Sequence, residues 1–168
     1  MIPEPMPSSF ILKNAQLSLT ELRWALENGL IGAQNVVDAA AWMLADGQDS
    51  EFLVQLAGVT HAELPDVTRM LSCVAMPERD TDAKRKWTWL TLLWVYERCR
   101  DDERVADILG ELYADLGYPE EMVSFGPYAP AYEGKRQPAT VRQEILVEWR
   151  KYLKQGEELF GRNEERRE

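Results

Sequence analysis

The stretch 81-TDAKRKWTWLTLLWVYERCR-100 decides the fold class of this chain. Its first turn is charged, whereas every side chain from Trp87 to Tyr96 is uncharged. Because a helix that is apolar nearly all round is buried by its neighbours, we predict a helix at the centre of a bundle, with Trp87, Leu90 and Trp94 in the core. The apolar run is about half the length of a membrane span, so no membrane segment is predicted.

Helix signals continue on both sides of this stretch. Ser18-Leu-Thr-Glu21 has the form of a capping box that opens a helix, and Gly29 supplies a stop. Strict alternation of apolar and polar residues, which would predict strands, is absent. We therefore predict an all-α fold, a single irregular bundle of about six to eight helices. Further helices are predicted over about 33–46, 49–58, 62–75, 105–116 and 140–160.

The length and composition predict one globular domain. The chain has 168 residues, of which 45% are apolar and 29% are charged. A domain of this size buries about 70% of its unfolded surface. We assign residues 1–168 to a single helical domain and expect segments 1–15 and 161–168 to be flexible. The N-terminal residues have neither the basic nor the apolar region of a signal peptide, which predicts a cytoplasmic protein.

The charge balance narrows the class of partner. The formal net charge is −10, from 29 acidic and 19 basic residues. Phosphates favour basic surfaces, so we predict that nucleic acid is not a ligand. The acidic excess is compatible with self-repulsion that keeps the protein soluble, and also with a basic protein partner.

The sequence contains no recognisable catalytic motif. His61 is the only histidine, which excludes most histidine-based metal sites and nucleophile–base pairs. Gly-rich phosphate loops, Gly-x-Ser-x-Gly elbows and Cys-x-x-Cys pairs are all missing. We predict no catalytic residue, no metal and no other cofactor, while an enzyme that uses carboxylates only stays an alternative. Cys73 and Cys99 lie among apolar residues and are predicted to be small core residues.

A helix-turn-helix-like regulator is a second alternative. The segment Gln55–Thr60, followed by a predicted helix, weakly resembles the turn of that motif. Residues 49–71, however, contain four acidic residues and only one basic residue, Arg69, which gives a net charge of −3. Phosphate would repel a recognition helix of that charge, so a plain helix–helix connection is the favoured interpretation.

The most informative charged pattern is an acidic stripe on the helix predicted over 105–116, whose four carboxylates recur every four residues and are all predicted to lie along one face. Like charges four residues apart share a helix face and repel by roughly 0.2–0.5 kcal/mol per pair. Two interpretations stay open. Arg150, Lys151 and Lys154 of the last helix neutralise the stripe within the fold, or the stripe faces outward as a docking surface for a basic protein. The stripe consists of Glu103, Asp107, Glu111 and Asp115.

The stretch 111-ELYADLGYPEEMVSFGPYAP-130 resembles a signature of an uncharacterised bacterial family. Leu19-x-x-Leu22-x-Trp24-Ala25, Gly29-Leu30-Ile31 and the Trp-rich helix from Trp87 are also similar to it, whereas Gly117 and Ala129 depart from its pattern. Members of the family are small acidic proteins associated with polymorphic-toxin gene cassettes, where they are regarded as immunity proteins. The resemblance implies a bacterial cytoplasmic protein that binds a toxin domain, and it carries over no active site.

The stripe and the loop that follows it form the predicted partner-binding surface. Tyrosines beside charged residues are typical of binding hot spots. The predicted partner is a basic toxin domain. The predicted partner-binding residues are Glu103, Asp107, Glu111, Asp115, Tyr118, Glu120, Glu121 and Tyr128.

Overall fold

The computed structural model describes residues 5–134 and 136–162. Within these residues it contains eight α-helices, three short 3₁₀ helices and no strand, which confirms the all-α prediction. The α-helices are α1 (Ser8–Asn14), α2 (Leu19–Glu27), α3 (Ala33–Ala45), α4 (Glu51–Ala57), α5 (Val67–Leu71), α6 (Asp80–Cys99), α7 (Val105–Asp115) and α8 (Pro138–Phe160). The 3₁₀ helices are His61–Asp66, Glu120–Met122 and Pro130–Tyr132.

The described residues group into two compact units, and the boundary between them falls inside α6, after Trp87. One unit consists of Pro5–Trp87 together with Arg162. The other consists of Thr88–Gly161, without residue 135. The prediction of a single domain requires that both units fold together, and it stays a prediction.

Within the segment 1–15, which was expected to be flexible, residues 8–14 form helix α1, and residues 1–4 lie outside the described part of the chain. Helix α1 buries the three apolar residues Phe10–Leu12. The hydroxyl of Ser8 donates a hydrogen bond to Oδ2 of Asp38 at 2.6 Å. These contacts fasten α1 to α3. The matching expectation for the C-terminus falls largely on residues 163–168, which lie outside the described residues.

The segment after α4 differs from the helix predicted over 62–75. It forms the 3₁₀ helix His61–Asp66, which contains Pro65, and then the five-residue helix α5. Proline has no N–H to donate, and its ring clashes with the preceding turn of an α-helix, so a continuous α-helix is disfavoured here. Five residues make little more than one α-helical turn. The helix-turn-helix alternative therefore lacks a recognition helix in this segment.

The helix predicted from residue 49 begins at Glu51, after the N-cap residue Ser50. The prediction that Cys73 is a core residue is wrong. Cys73 is exposed, and its thiol donates to the backbone carbonyl oxygen of Met70 at 3.1 Å. Cys99, in contrast, is buried as predicted.

The capping box predicted at Ser18 is present. The backbone N–H of Glu21 donates to the Ser18 hydroxyl at 3.2 Å, and the backbone N–H of Ser18 donates to the Glu21 carboxylate at 2.9 Å. Ser18→Ala should therefore lower the free energy of unfolding, measured by urea denaturation, by about 1 kcal/mol. Ser50 precedes α4 without a side-chain cap bond, so Ser50→Ala is the control and should cost less than about 0.5 kcal/mol. Equal losses of unfolding free energy in the two variants would contradict the assignment of Ser18 as the capping residue of α2.

Helix α6 has the burial that its sequence predicts. All six residues of Trp87–Leu92 are buried, and so is Trp94. The indole N–H of Trp87 also donates to the backbone carbonyl oxygen of Glu21 at 3.0 Å. In the first turns, Asp80, Asp82 and Arg85 are exposed, whereas Lys86 is half-buried and pairs with Glu21 at 2.7 Å, because burial of a charge requires a partner.

Aromatic side chains form the core of the unit Thr88–Gly161. The ring of Trp149 is fully buried and stacks on Phe125, with ring centroids 5.8 Å apart and an interplanar angle of 2°. Its ring also meets Tyr96 in an edge-to-face contact at 5.1 Å. These contacts join α6, α8 and the connection between α7 and α8. They hold in place the segment that carries the predicted binding residues.

Candidate partner-binding face

The acidic stripe lies on the protein surface, with one correction to its placement. Asp107, Glu111 and Asp115 are exposed residues of α7. Glu103 is exposed too, but it lies in the turn before the helix, because α7 begins only at Val105. The stripe therefore has three members on one helix face and a fourth at the N-terminal end of that helix.

The basic residues expected to neutralise the stripe from α8 have other positions. Nε of Arg150 donates to the phenol oxygen of Tyr96 at 3.1 Å. Nζ of Lys151 donates to Oε1 of Glu148, one helical turn away, at 2.5 Å. Lys154 is exposed. The interpretation in which these three cations neutralise the stripe is therefore not supported by their contacts.

Two carboxylates of the stripe have no ion pair in the part of the chain that the structure describes. Neither Glu103 nor Asp107 forms a salt bridge with a described lysine or arginine. Exposed carboxylates without an ion pair attract a basic protein surface.

A cleft of about 970 Å³ runs beside the stripe. Asp102, Asp107 and Glu111 contribute three carboxylates to its lining, against the single cation of Arg104. We call this site the acidic cleft. Because its walls are concave and mainly of one sign, it focuses a negative potential. Its other lining residues are Cys99, Ala106, Ile108, Gly110, Pro127 and Tyr132.

Asp102 belongs to the acidic cleft although it was absent from the predicted binding residues. The backbone N–H of Arg104 donates to Oδ1 of Asp102 at 2.8 Å, and this hydrogen bond lowers the pKa of the Asp102 carboxyl below its ordinary value. The carboxylate therefore stays ionised at neutral pH. A sequence signal existed, since an Asp just before a helix commonly accepts from the backbone N–H two residues later.

Tyr132 is the second cleft residue that sequence reasoning missed. Burial raises the pKa of its phenol, and the nearby charge of Asp107 raises it further. The phenol therefore stays protonated at neutral pH and can donate a hydrogen bond to a ligand in the acidic cleft. No local pattern marks Tyr132, because only the path of the loop brings it beside α7.

Three tyrosines form a cluster after the acidic cleft, and we call them the tyrosine cluster. The ring of Tyr113 meets those of Tyr118 and Tyr128 edge to face, at centroid distances of 5.2 and 5.9 Å. Tyr118 is 66% exposed and Tyr128 is 81% exposed. In the intervening 3₁₀ helix, Glu120 is exposed and Glu121 is half-buried. The cluster thus offers exposed aromatic surface next to acidic residues, as binding hot spots do.

The backbone of Tyr118 is strained. Its φ angle is 59°, and that of Gly117 before it is 72°. The N–H groups of Gly117 and Tyr118 donate to the carbonyl oxygens of Ala114 and Tyr113, so α7 ends in a Schellman motif. The motif explains the glycine at 117, but a side chain at positive φ costs about 1–2 kcal/mol. Backbone strain of this kind clusters at binding and catalytic sites.

Replacing Tyr118 separates this strain from the loss of its ring. Asparagine tolerates the left-handed conformation, whereas alanine keeps the strain, and both variants lose the contact with Tyr113. Tyr118→Asn should therefore unfold with a free energy about 1 kcal/mol higher than that of Tyr118→Ala, measured by urea denaturation. Equal stability of the two variants would show that the position is not strained.

Comparison with protein families covers nearly all of this architecture. Residues 8–157 match a family described as "Uncharacterized protein conserved in bacteria (DUF2247)". The chain belongs to this family. The prediction of an uncharacterised bacterial family is confirmed, and the match includes both compact units, the acidic cleft and the tyrosine cluster. No curated protein and no solved structure matches the DUF2247 chain.

The pKa of Asp102 in the acidic cleft of this DUF2247 protein is shifted away from the range of a general acid. A general acid needs a carboxyl whose pKa is raised towards neutrality, whereas the pKa of Asp102 is lowered. In residues 5–134 and 136–162, no three His, Cys, Asp or Glu side chains are grouped so that they could hold a metal ion. Over the same ranges, no helix combines the length and apolar character that crossing a membrane requires.

Proposed function

We propose that this DUF2247 protein is a non-catalytic bacterial immunity protein, which neutralises a basic toxin domain by binding it at the acidic cleft and the tyrosine cluster. The observation that carries the proposal is the exposed stripe beside the cleft, in which Glu103 and Asp107 have no ion pair with a described residue. Carboxylates kept exposed and unpaired in this way are available to a cationic partner.

The physical advantage of such a surface is fast association. Complementary charges can raise the association rate constant to about 10⁸–10⁹ M⁻¹s⁻¹ at low salt, compared with about 10⁵–10⁶ M⁻¹s⁻¹ for uncharged surfaces. A protein that must inactivate a toxin before the toxin reaches its target benefits from speed. Toxin domains that act on nucleic acid are basic because their substrate is acidic, so an acidic cleft has the sign of charge that competes with that substrate.

The tyrosine cluster supplies the second part of the interface. Charged rims steer the encounter, but aromatic residues that become buried provide much of the binding energy. Tyr118 and Tyr128 present large exposed rings beside the charged stripe. We propose that they anchor the toxin domain after the acidic cleft has attracted it. Replacing either ring with alanine should mainly raise the dissociation rate constant, because short-range contacts are lost.

Reversing two charges of the acidic stripe tests whether the stripe attracts the toxin domain. Glu103→Lys combined with Asp107→Lys should slow association with the cognate toxin domain by about 10–100-fold at low salt. The partner for the test is a toxin domain identified from the genes that neighbour this one, and stopped-flow fluorescence measures the rate. The difference should shrink as salt rises, because the Debye length falls from about 10 Å at 0.1 M to about 3 Å at 1 M.

A control variant changes the net charge equally at two exposed residues of the other compact unit, Asp49→Lys with Glu78→Lys. It should slow association by less than about threefold. Equal slowing in both variants would show that only net charge matters, and unchanged rates in both would exclude this face. In cells, co-expression of the unmodified chain should restore growth of bacteria that make the toxin domain. If growth is not restored, the immunity function is wrong.

A further inference from the structure

A second cleft, of about 450 Å³, is lined by residues from the start of α7 and the first turns of α8. Sites for small molecules have volumes of about 300–1,000 Å³. This cleft shares Ala106 and Tyr132 with the acidic cleft, but the rest of its lining differs in chemistry. We call it the arginine cleft, after Arg136 and Arg142 in its lining.

The walls of the arginine cleft are largely apolar. Val105 and Ile145 line it and are almost completely buried, so their positions are fixed by packing. Ala106, Ala139 and Val141 add further apolar surface. An apolar site with a small number of polar groups is the usual composition of a small-molecule site.

Arg142 provides an oriented cation in this lining. Its Nη2 donates to the backbone carbonyl oxygen of Arg100 at 3.0 Å, which fixes one side of the guanidinium. Its buried Nε has no hydrogen-bond acceptor among the described residues. A guanidinium carries five N–H donors, so Arg142 retains donors that its described protein contacts do not use. The Arg142 side chain is half-buried, and the carboxylate of Asp102 is close enough to interact with it electrostatically. The unsatisfied donors of Arg142 favour a second anionic group.

The N-terminus of α8 adds positive potential at the same place. Pro138 begins the helix, Gln137 forms no side-chain cap, and the first turn has no acidic residue. The positive end of the helix dipole is therefore not offset locally. Arg136 pairs with Glu144 at 2.6 Å, so its charge is largely balanced. Glu103 contributes a carboxylate to the lining, but it is exposed to solvent, which screens it.

We propose that the arginine cleft binds a small amphipathic carboxylate. The carboxylate group accepts hydrogen bonds from Arg142, and the aliphatic or aromatic body lies against Val105, Val141 and Ile145. The net charge of −10 does not prevent this binding. Charges beyond about 8 Å are screened at physiological salt, so the nearby positive charge of Arg142 outweighs the distant carboxylates. The site goes beyond the proposed toxin binding and does not depend on it.

The test uses 4-phenylbutyrate as the probe and its amide, 4-phenylbutyramide, as a neutral ligand of nearly identical shape. Each is titrated into the full chain, and binding is followed by NMR shifts of the methyl groups of Val105, Val141 and Ile145. A ligand with about 12 non-hydrogen atoms should bind with a Kd of the order of 1 mM. The amide should bind at least about 10-fold more weakly, because its neutral carbonyl cannot form the charge-assisted, bidentate pair that a carboxylate forms with a guanidinium.

Three variants locate the binding. Arg142→Gln should weaken binding of the carboxylate about 10-fold and leave binding of the amide unchanged. Ala139→Leu fills part of the cleft without changing any charge, and it should abolish saturable shifts from both probes. Lys154→Gln removes an exposed charge from the same helix outside the cleft, and it should have no effect.

Equal affinity for the acid and the amide would overturn the proposed anion site. Binding that survives Ala139→Leu would place the ligand elsewhere, and the absence of saturable shifts from either probe would overturn the proposal as well. If Arg142→Gln does not fold, the comparison of acid with amide and the Ala139→Leu variant still decide whether the arginine cleft binds a carboxylate. Toxin neutralisation by Ala139→Leu is measured in parallel, so that failure of this site and failure of the immunity function can be told apart.

Discussion

Trp149→Ala should lower the free energy of unfolding by about 3–5 kcal/mol. The ring of Trp149 is fully buried on α8, stacked on Phe125 and in edge contact with Tyr96. Removing it leaves a large cavity among side chains from three parts of one unit, and the helices around it cannot fully collapse into that cavity. Urea denaturation followed by far-UV circular dichroism measures the change.

Two controls define the cause of this loss. Tyr128→Ala removes an aromatic ring that is 81% exposed in the same unit, so it should cost less than about 0.5 kcal/mol. Trp149→Phe keeps a buried ring and removes the indole N–H, which has no acceptor within the described residues. It should cost only about 1–2 kcal/mol, because no hydrogen bond is lost. A loss below about 1 kcal/mol for Trp149→Ala would contradict the described core.

Gly156→Ala should lower the free energy of unfolding by about 3 kcal/mol, although alanine is the better helix former by about 1 kcal/mol. A Cβ atom at Gly156 would lie 2.7 Å from Cγ of Trp89 and still closer to Cδ1 and Nε1 of the same ring. The Trp89 ring cannot easily move away, because it is buried and its indole N–H donates to the carbonyl oxygen of Leu153 at 3.0 Å. One added methyl group therefore disturbs both packing and a buried hydrogen bond.

Gly110→Ala is the matched control for this substitution. Gly110 lies inside α7, and a Cβ atom there meets no atom within 4 Å. The same change of residue should therefore raise the free energy of unfolding by up to about 1 kcal/mol, through helix propensity alone. Opposite signs for the two variants in thermal or urea unfolding are the expected result. A stabilising Gly156→Ala would show that Trp89 and α8 are less closely packed than described.

Much of the fold could be predicted from the sequence because helix signals are local. The capping box at Ser18 and the apolar residues of α6 each depend on residues within one or a few turns of each other. The prediction failed where another local rule or a distant partner decided the structure. Pro65 replaced an α-helix by a 3₁₀ helix. Helix α1 depends on contacts with α3, which the pattern of residues 1–15 did not indicate.

For the candidate site, the sequence by itself determined the charge of the chain and the three carboxylates on one face of α7, because a period of 3.6 residues puts residues four apart on the same side. Only the tertiary structure placed Glu103 before the helix and Tyr132 beside Asp107. The acidic cleft, the tyrosine cluster and the arginine cleft also exist only in the tertiary structure. The physical reason is that a concave site is the space left between packed segments, and its shape depends on contacts between residues far apart in the chain, which no local periodicity encodes.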